Sequence, residues 1–270
     1  HNAQNKDLLA AIRADPQILP TVSSDKPIEA HVGTCQVDFA NSLVGGSTLE
    51  GAAVQEEIMI AQKPDLLFLL WWASRMVPGE ALSATAEPFN KTRGYSRSFE
   101  FVDTVPLTDK ITKPADVGGY FKSVKTVCQA YPEACIAMDA YNRSVGARKA
   151  RRKRGHPGST DDPEQTKWTP RDLKKVFAAA MSPIPRILGT KTKAPGFHTL
   201  STGNWGCGIF GGDPTRMATI QLAGITLASH ANPHGFTNMV HCHFGDPRVK
   251  HFGNEVAKML KQGKTVQHLL

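Results

Sequence analysis

Apolar residues recur at helical spacing from Lys6 to Ala14 (KDLLAAIRA) and stop before Pro16, which predicts a short, peripheral helix. Pro20 to Pro27 carries turn chemistry, and Gly33 to Phe39 (GTCQVDF) then alternates apolar and polar residues as a strand does. Pro64 to Met76 opens on Pro-Asp and continues with dense apolar residues, predicting a largely buried helix with Trp71 and Trp72 in the core. Glu80 to Ala86 reads as a short strand leading into a loop from Glu87 to Tyr95 (EPFNKTRGY). Ala134 to Ala140 (ACIAMDA) reads as a buried strand, and Arg171 to Met181 as an amphipathic helix starting behind Thr169-Pro170. Leu200 to Asp213 (LSTGNWGCGIFGGD) holds five glycines in 14 residues, the mark of a turn, and a helix from Thr215 to Ala228 follows at once. Asn238 to Phe244 (NMVHCHF) predicts a strand, Arg248 to Lys261 a helix, and the last residues a helical turn. Strands alternating with helices place the chain in the α/β class.

Composition narrows this picture. A chain of 270 residues with 40% apolar content can bury an ordinary core, as one large domain or two small ones. The longest apolar run, Leu66 to Ala73, has 8 residues, well short of the roughly 20 that cross a bilayer. No membrane partner is expected. The start lacks the basic, apolar, small-residue order of a signal peptide, although His1 in place of Met is compatible with a processed start. The five cysteines, at 35, 128, 135, 207 and 242, show no paired spacing and read as reduced thiols. Asn90-Lys-Thr and Asn142-Arg-Ser fit a glycosylation pattern short enough to arise often by chance.

The net charge of +8 is concentrated in one place: the segment from Arg143 to Arg154 (RSVGARKARRKR) has no acidic residue and supplies almost all of the excess. Such a run is a solvated loop, a nuclear-import signal or a patch that attracts a polyanion. With the turn-rich Gly155 to Pro163 (GHPGSTDDP) it reads as one long insertion at about 143–163.

Candidate chemistry lies in Val37 to Glu57 (VDFANSLVGGSTLEGAAVQEE), where 21 residues hold an Asp, an Asn, a Gly-Gly turn and two adjacent carboxylates. Glycine lets backbone amides approach an anion, and a helix start adds free N–H groups, so two turns could each hold phosphate. These are Gly45-Gly46-Ser47 and the glycine-rich 200–213 segment. Neither matches a P-loop or the dinucleotide fingerprint. Glu56 and Glu57 are neighbours whose side chains diverge by about 100° on a helix, so they do not readily flank one bond. If the chemistry is glycosidic, one Glu serves as both acid and base and the other orients the substrate. His230, His234, His241, Cys242 and His243 lack the spacing of a zinc site, and no metal is expected.

VDFAN, a glycine pair, AAVQEEI and, about 150 residues on, TGNWGCGIFGGD together resemble the poly(ADP-ribose) glycohydrolases, whose signature is a glycine triplet upstream of QEE. The similarity runs from about Leu19 to the C-terminus and is interrupted by the basic insertion. It implies a macrodomain over 1–270, a mixed sheet sandwiched between helices with ADP-ribose across the carboxyl edge, and no cofactor. Because the match starts near the N-terminus, the helical accessory domain of animal members is expected to be absent.

Carried over by motif, the resemblance implies that Glu57 is the catalytic acid and base and that Glu56 orients the leaving ribose. Asp38 and Asn41 contact or support ADP-ribose, Asp38 nearer the adenine. Gly45 and Gly46, with the 206–212 segment that holds Gly206, Cys207, Gly208 and Ile209, cradle the diphosphate through backbone amides, while Phe210 packs on the nucleotide. Gln55 and Asn204 also match site positions. Substrate and product are then poly(ADP-ribose) and ADP-ribose, poly(ADP-ribosyl)ated proteins are partners, and a nuclear or cytoplasmic monomer is expected. Two departures stand out. Ser47 replaces the third glycine, and Thr92 and Phe89 stand where animal members offer tyrosines, one of them to clasp the adenine. They keep a weakened or inactive ADP-ribose-binding macrodomain as the alternative. A nucleic-acid binder is the third reading, disfavoured because no aromatics interleave with the basic run.

Overall fold

The computed structural model describes residues 2–31, 33–50, 54–63, 66, 68–77, 80–86, 133–144, 163–181, 198–232 and 235–270. The loop holding Phe89 and Thr92, Cys128, and 145–162 of the basic insertion lie outside the described residues. In chain order the elements are α1 (Asn2–Ala14), β1 (Thr21–Ser24), β2 (Cys35–Asp38), α2 (Gln55–Gln62), α3 (Phe68–Trp72), β3 (Leu82–Ala86) and β4 (Glu133–Ala137). They continue with α4 (Pro163–Met181), β5 (Thr199–Gly203), α5 (Pro214–Ala231), β6 (Asn238–Cys242) and α6 (Phe252–Lys261). One sheet of order β1-β6-β5-β2-β4-β3 contains the six strands of the described residues. Its neighbours are parallel except β3, which pairs antiparallel with β4 at the edge.

The alternation of side chains along each strand divides the core. Cys35, Val37, Ala134, Ile136, Leu200 and Met239 face a large cluster built with α1, α4 and α5. Cys135, Val240 and Cys242 face the other way, onto Met59 and Ile60 of α2. The same alternation turns Gln36 and Asp38 toward the α2 side. α1 is less peripheral than its pattern predicts, since Leu8 and Ala11 are buried in the large cluster.

Five elements differ from expectation. Thr21–Ser24, inside the predicted turn, is a strand, registered on Met239–Cys242 of β6. Thr199–Gly203, overlapping the start of the predicted glycine-rich turn, is also a strand. Its polar residues are buried because partners exist for them: Ser201 donates to Thr34 Oγ1 at 2.8 Å, and Thr202 to Gln221 of α5. Gly203 is required there, since a Cβ would lie 2.5 Å from the Cys242 carbonyl. The helix predicted over 64–76 is described only as the five residues of α3, and Trp71 is 71% exposed, not in the core; Leu66, Leu69 and Leu70 turn inward instead. α4 begins at Pro163 and runs through Pro170, eight residues before the predicted start. α6 begins at Phe252, not Arg248, because the Asp246 carboxylate accepts from the Arg248 amide at 3.0 Å and holds a turn there.

Candidate active site at the carboxyl edge of the sheet

Ligands of open α/β sheets bind outside the carboxyl ends of parallel strands, where successive connections leave in opposite directions. Here β2 is that place, with β4 on one side and β5 on the other. A cavity of about 480 Å³ opens above it. Phe39 and Ala40 follow β2 into its wall, Ala140 follows β4, and Asn204 to Phe210 follow β5. Asp246 and Arg248, beyond β6, and Val54 and Gln55, at the start of α2, complete it.

The glycine-rich wall is backbone by necessity. At Gly206 (φ +72) a Cβ would lie 2.6 Å from the Ala140 Cβ, and at Gly212 it would lie 2.6 Å from the Gly206 carbonyl. The turn is closed by Cys207, Phe210, Gly211 and Gly212 donating to carbonyls within it. The amides of Gly208 and Ile209 have no acceptor among the described residues. Two adjacent free N–H groups at the mouth of a cavity can receive an anion. Trp205, fully buried, fixes the turn to β4 by donating from its indole nitrogen to the Met138 carbonyl at 2.9 Å. Asn204 donates to the His243 carbonyl at 3.2 Å, and its buried Oδ1 has no hydrogen-bond partner among the described residues, leaving an acceptor at the cavity wall. Burial pushes the Cys207 thiol up to about 12, so it is not a thiolate.

The two carboxylates stand at the second and third positions of α2 and are 3% and 5% exposed, which rules out solvated surface charges. They were expected to diverge, yet both reach one turn, because residues 41–47 wrap over the helix start. Glu56 accepts from the amides of Gly45 (2.5 Å) and Asn41 (3.0 Å), while Glu57 accepts from Ser47 (3.0 Å) and Val54 (3.2 Å). The last bond is the carboxylate half of a capping box; Val54 has no side-chain oxygen for the other half. Gln55 ties the helix to β2: its Oε1 accepts from Phe39 N at 2.7 Å, and its amide donates to Val37 O and to Glu29, each at 3.2 Å.

The Gly45 amide, expected to cradle diphosphate, is thus held by Glu56, and that of Gly46 is turned to Leu43 O at 3.4 Å. Ser47 contributes its amide, and its φ is not positive, unlike those of Gly45 (+101) and Gly46 (+45). The backbone therefore does not demand glycine at position 47. Gln55, Asn204, Gly206, Cys207, Gly208, Ile209 and Phe210 line the cavity; Asp38, Asn41, Gly45, Gly46, Ser47, Glu56 and Glu57 do not.

Burial raises the Glu56 carboxyl to about 7, aided by the charge of Glu57 and opposed by the amide bonds from Gly45 and Asn41. Burial likewise holds Asp38 well above the usual carboxylate range; Glu56 adds to this, and Lys63, fully buried below, opposes it. Lys63 donates to Gln36 Oε1. Because folding raises the Glu56 carboxyl from 4.5 to about 7, the folded chain binds that proton more tightly than the unfolded chain. The linked stability is complete at low pH and declines as pH rises across that window. Glu56→Gln is expected to flatten the decline seen in melting temperature; equal slopes in both proteins would show that Glu56 does not titrate there.

Among the described residues no group of three or more His, Cys, Asp or Glu converges as a metal site. His241 is buried in β6 with its ring tilted on Phe252 at 5.3 Å, and burial pushes it down to about 4. No described helix is long and apolar enough to cross a membrane.

Residues 15–251 match the family model described as poly(ADP-ribose) glycohydrolase, macro domain fold. The chain belongs to the poly(ADP-ribose) glycohydrolase family. Two Arabidopsis thaliana relatives are similar: poly(ADP-ribose) glycohydrolase 1 is 28% identical over 69% of this chain and 39% of its own length. Probable poly(ADP-ribose) glycohydrolase 2 is 29% identical over 75% and 38%. The chain thus spans about two-fifths of the length of these relatives. Among solved structures, the poly(ADP-ribose) glycohydrolase of Deinococcus radiodurans in complex with ADP-ribose aligns with TM-score 0.48 and 15% identity over 97% of this chain and 92% of that one. The enzyme of Thermomonospora curvata bound to the inhibitor ADP-HPD gives 0.46 and 16% over 94% and 82%.

Several cavity residues of this family member carry little signal in the sequence: Phe39, Ala40, Ala140, Trp205, Asp246 and Arg248. What could have found Phe39, Ala40 and Ala140 is position, at the end of a predicted strand or directly after it, and not residue type. Phe244, an exposed aromatic at positive φ (+50), sits one residue past the carbonyl that holds Asn204 and does not itself line the cavity.

Proposed function

We propose that the chain hydrolyses the ribose–ribose O-glycosidic bonds of poly(ADP-ribose) and releases ADP-ribose, with Glu57 as general acid and base. The observation that carries this is the buried carboxylate pair fastened to the turn over α2, beside a cavity whose far wall offers free backbone amides. A diphosphate would sit against Gly208 and Ile209, and Asn204 Oδ1 would accept from a ligand hydroxyl. In the first step the Glu57 carboxyl gives its proton to the leaving ribose oxygen as the bond from that oxygen to the anomeric carbon breaks. The resulting carboxylate then takes a proton from the water that attacks the oxocarbenium-like carbon, which restores the acid. Glu56 orients the leaving ribose, and its own two amide bonds keep it fixed while it does so.

The raised Glu56 carboxyl favours a second assignment, in which Glu56 is the acid, because a group titrating near neutrality suits proton donation. Release of ADP-ribose from automodified polymer, compared among wild type, Glu57→Gln and Glu56→Gln, tests both. Loss confined to the Glu57 variant supports the first assignment, and loss confined to Glu56 supports the second. A wild type that binds ADP-ribose but releases none would make the chain a reader of the modification.

A further inference from the structure

Beneath the cavity, five charged side chains meet between α4 and the segment leaving β4. Asp172 of α4, whose side chain is fully buried, accepts at Oδ1 from the Tyr141 amide (3.3 Å) and from Arg171 (3.0 Å), and pairs at Oδ2 with Arg143. Asp139 pairs with Arg171 at 2.5 Å and with Lys175 at 2.6 Å. Arg143 is therefore not part of a solvated basic loop: its side chain is 13% exposed and also donates to Tyr141 O at 3.1 Å.

What the cluster holds is the cavity wall. The Arg143 amide donates to the Phe210 carbonyl at 2.6 Å, and Gly211 packs so closely that a Cβ would lie 3.3 Å from Ser144 Cα. A path of direct bonds thus runs from Asp172 through residues 141–143 to the glycine-rich turn, and Asp172 itself does not line the cavity. A buried ionic cluster costs desolvation that an apolar replacement would avoid, so mere stability is a weak reason for placing one here. We infer that Asp172 is a positioning residue, which through Arg143 and Tyr141 sets the 206–212 turn at the spacing its ligand requires. This rests on reading the cavity as the ADP-ribose site.

The test uses the full chain with Asp172→Asn, Arg143→Gln and the double variant. It measures ADP-ribose affinity by calorimetry, KM and kcat on automodified polymer, melting temperature, and amide hydrogen exchange. Displacing a binding wall by about 1 Å costs up to roughly a hundredfold, so Asp172→Asn is expected to raise Kd and KM together by about ten- to a hundredfold, with little change in kcat. Exchange should quicken at the Arg143 amide and across 206–212, while the amides of α5 stay protected. Arg143→Gln should act in the same direction, and the double variant should add little, as for two members of one path. A lower melting temperature with unchanged Kd, KM and exchange in the turn would overturn the inference, because a merely structural carboxylate behaves that way. If Asp172→Asn does not fold, Arg143→Gln decides on the same readouts. A wild type that neither binds ADP-ribose nor cleaves polymer would sink the proposed function, and exchange in the turn would then alone decide the role of Asp172.

Discussion

Glu57→Gln is expected to lower polymer hydrolysis by about 10²- to 10⁴-fold, the usual contribution of a general acid and base, while ADP-ribose binding stays near that of wild type. The substitution keeps the side chain's shape but leaves one acceptor oxygen where two were used, so either the Ser47 or the Val54 amide loses its partner, at about 1.5–3 kcal/mol. It removes a negative charge from the first turn of α2, which costs about 0.3–1 kcal/mol of favourable dipole interaction. It also removes a charge that pushes the Glu56 carboxyl up, so Glu56 should titrate lower in the variant than in wild type. The melting temperature should therefore fall while the variant still folds. Steady-state rates on automodified polymer, calorimetry with ADP-ribose and a carboxyl titration followed by NMR check the three parts. A variant that turns over at the wild-type rate would remove Glu57 from the mechanism. One that also loses ADP-ribose affinity would show that the carboxylate shapes the cavity as well.

Much of the fold is legible in the chain because its periodicities are clear where burial is two-sided. β2, β4, β6 and α5 follow from runs of apolar residues that the core does bury. β5 was hidden because Ser201 and Thr202 are polar and yet buried, satisfied by Thr34 and by Gln221 from remote parts of the sequence. No local pattern announces such partners. β1 was hidden by its prolines: Pro20 and Pro27 flank an edge strand of four residues, where turn residues are tolerated because one side needs no ladder.

The site was legible through motifs, and motifs report residue types without geometry. They bring together Gln55, Asn204 and the 206–210 segment, which the cavity contains. They could not show that Glu56 spends both its oxygens on the amides of Gly45 and Asn41, which removes the Gly45 amide from the diphosphate cradle. Nor could they separate Arg143 from the basic run that follows it, since only the approach of α4 makes it one half of a buried pair.

Gly46→Val is expected to abolish polymer hydrolysis and lower the melting temperature, whereas Ser47→Gly changes either one little. Gly46 has φ +45, a conformation that costs a residue with a side chain about 1–2 kcal/mol and a β-branched one the most. Sterics add to this. A Cβ there would lie 2.6 Å from Glu57 Oε1 and 2.7 Å from Glu56 Oε2, so both carboxylates must leave the positions in which these oxygens accept from Ser47 and Asn41. Each hydrogen bond to a charged group lost without replacement costs about 1.5–3 kcal/mol, and the released carboxylates no longer stand fixed over the helix start. The residue is exposed, so the damage should stay local and the core elements should keep their hydrogen-exchange protection. Ser47 has no positive φ and gives the site only its amide, which glycine also supplies. Melting curves and polymer turnover measured side by side distinguish the two positions. Wild-type turnover in Gly46→Val would mean that the carboxylates do not depend on this turn for their placement, and the proposed roles of Glu56 and Glu57 would fall with it.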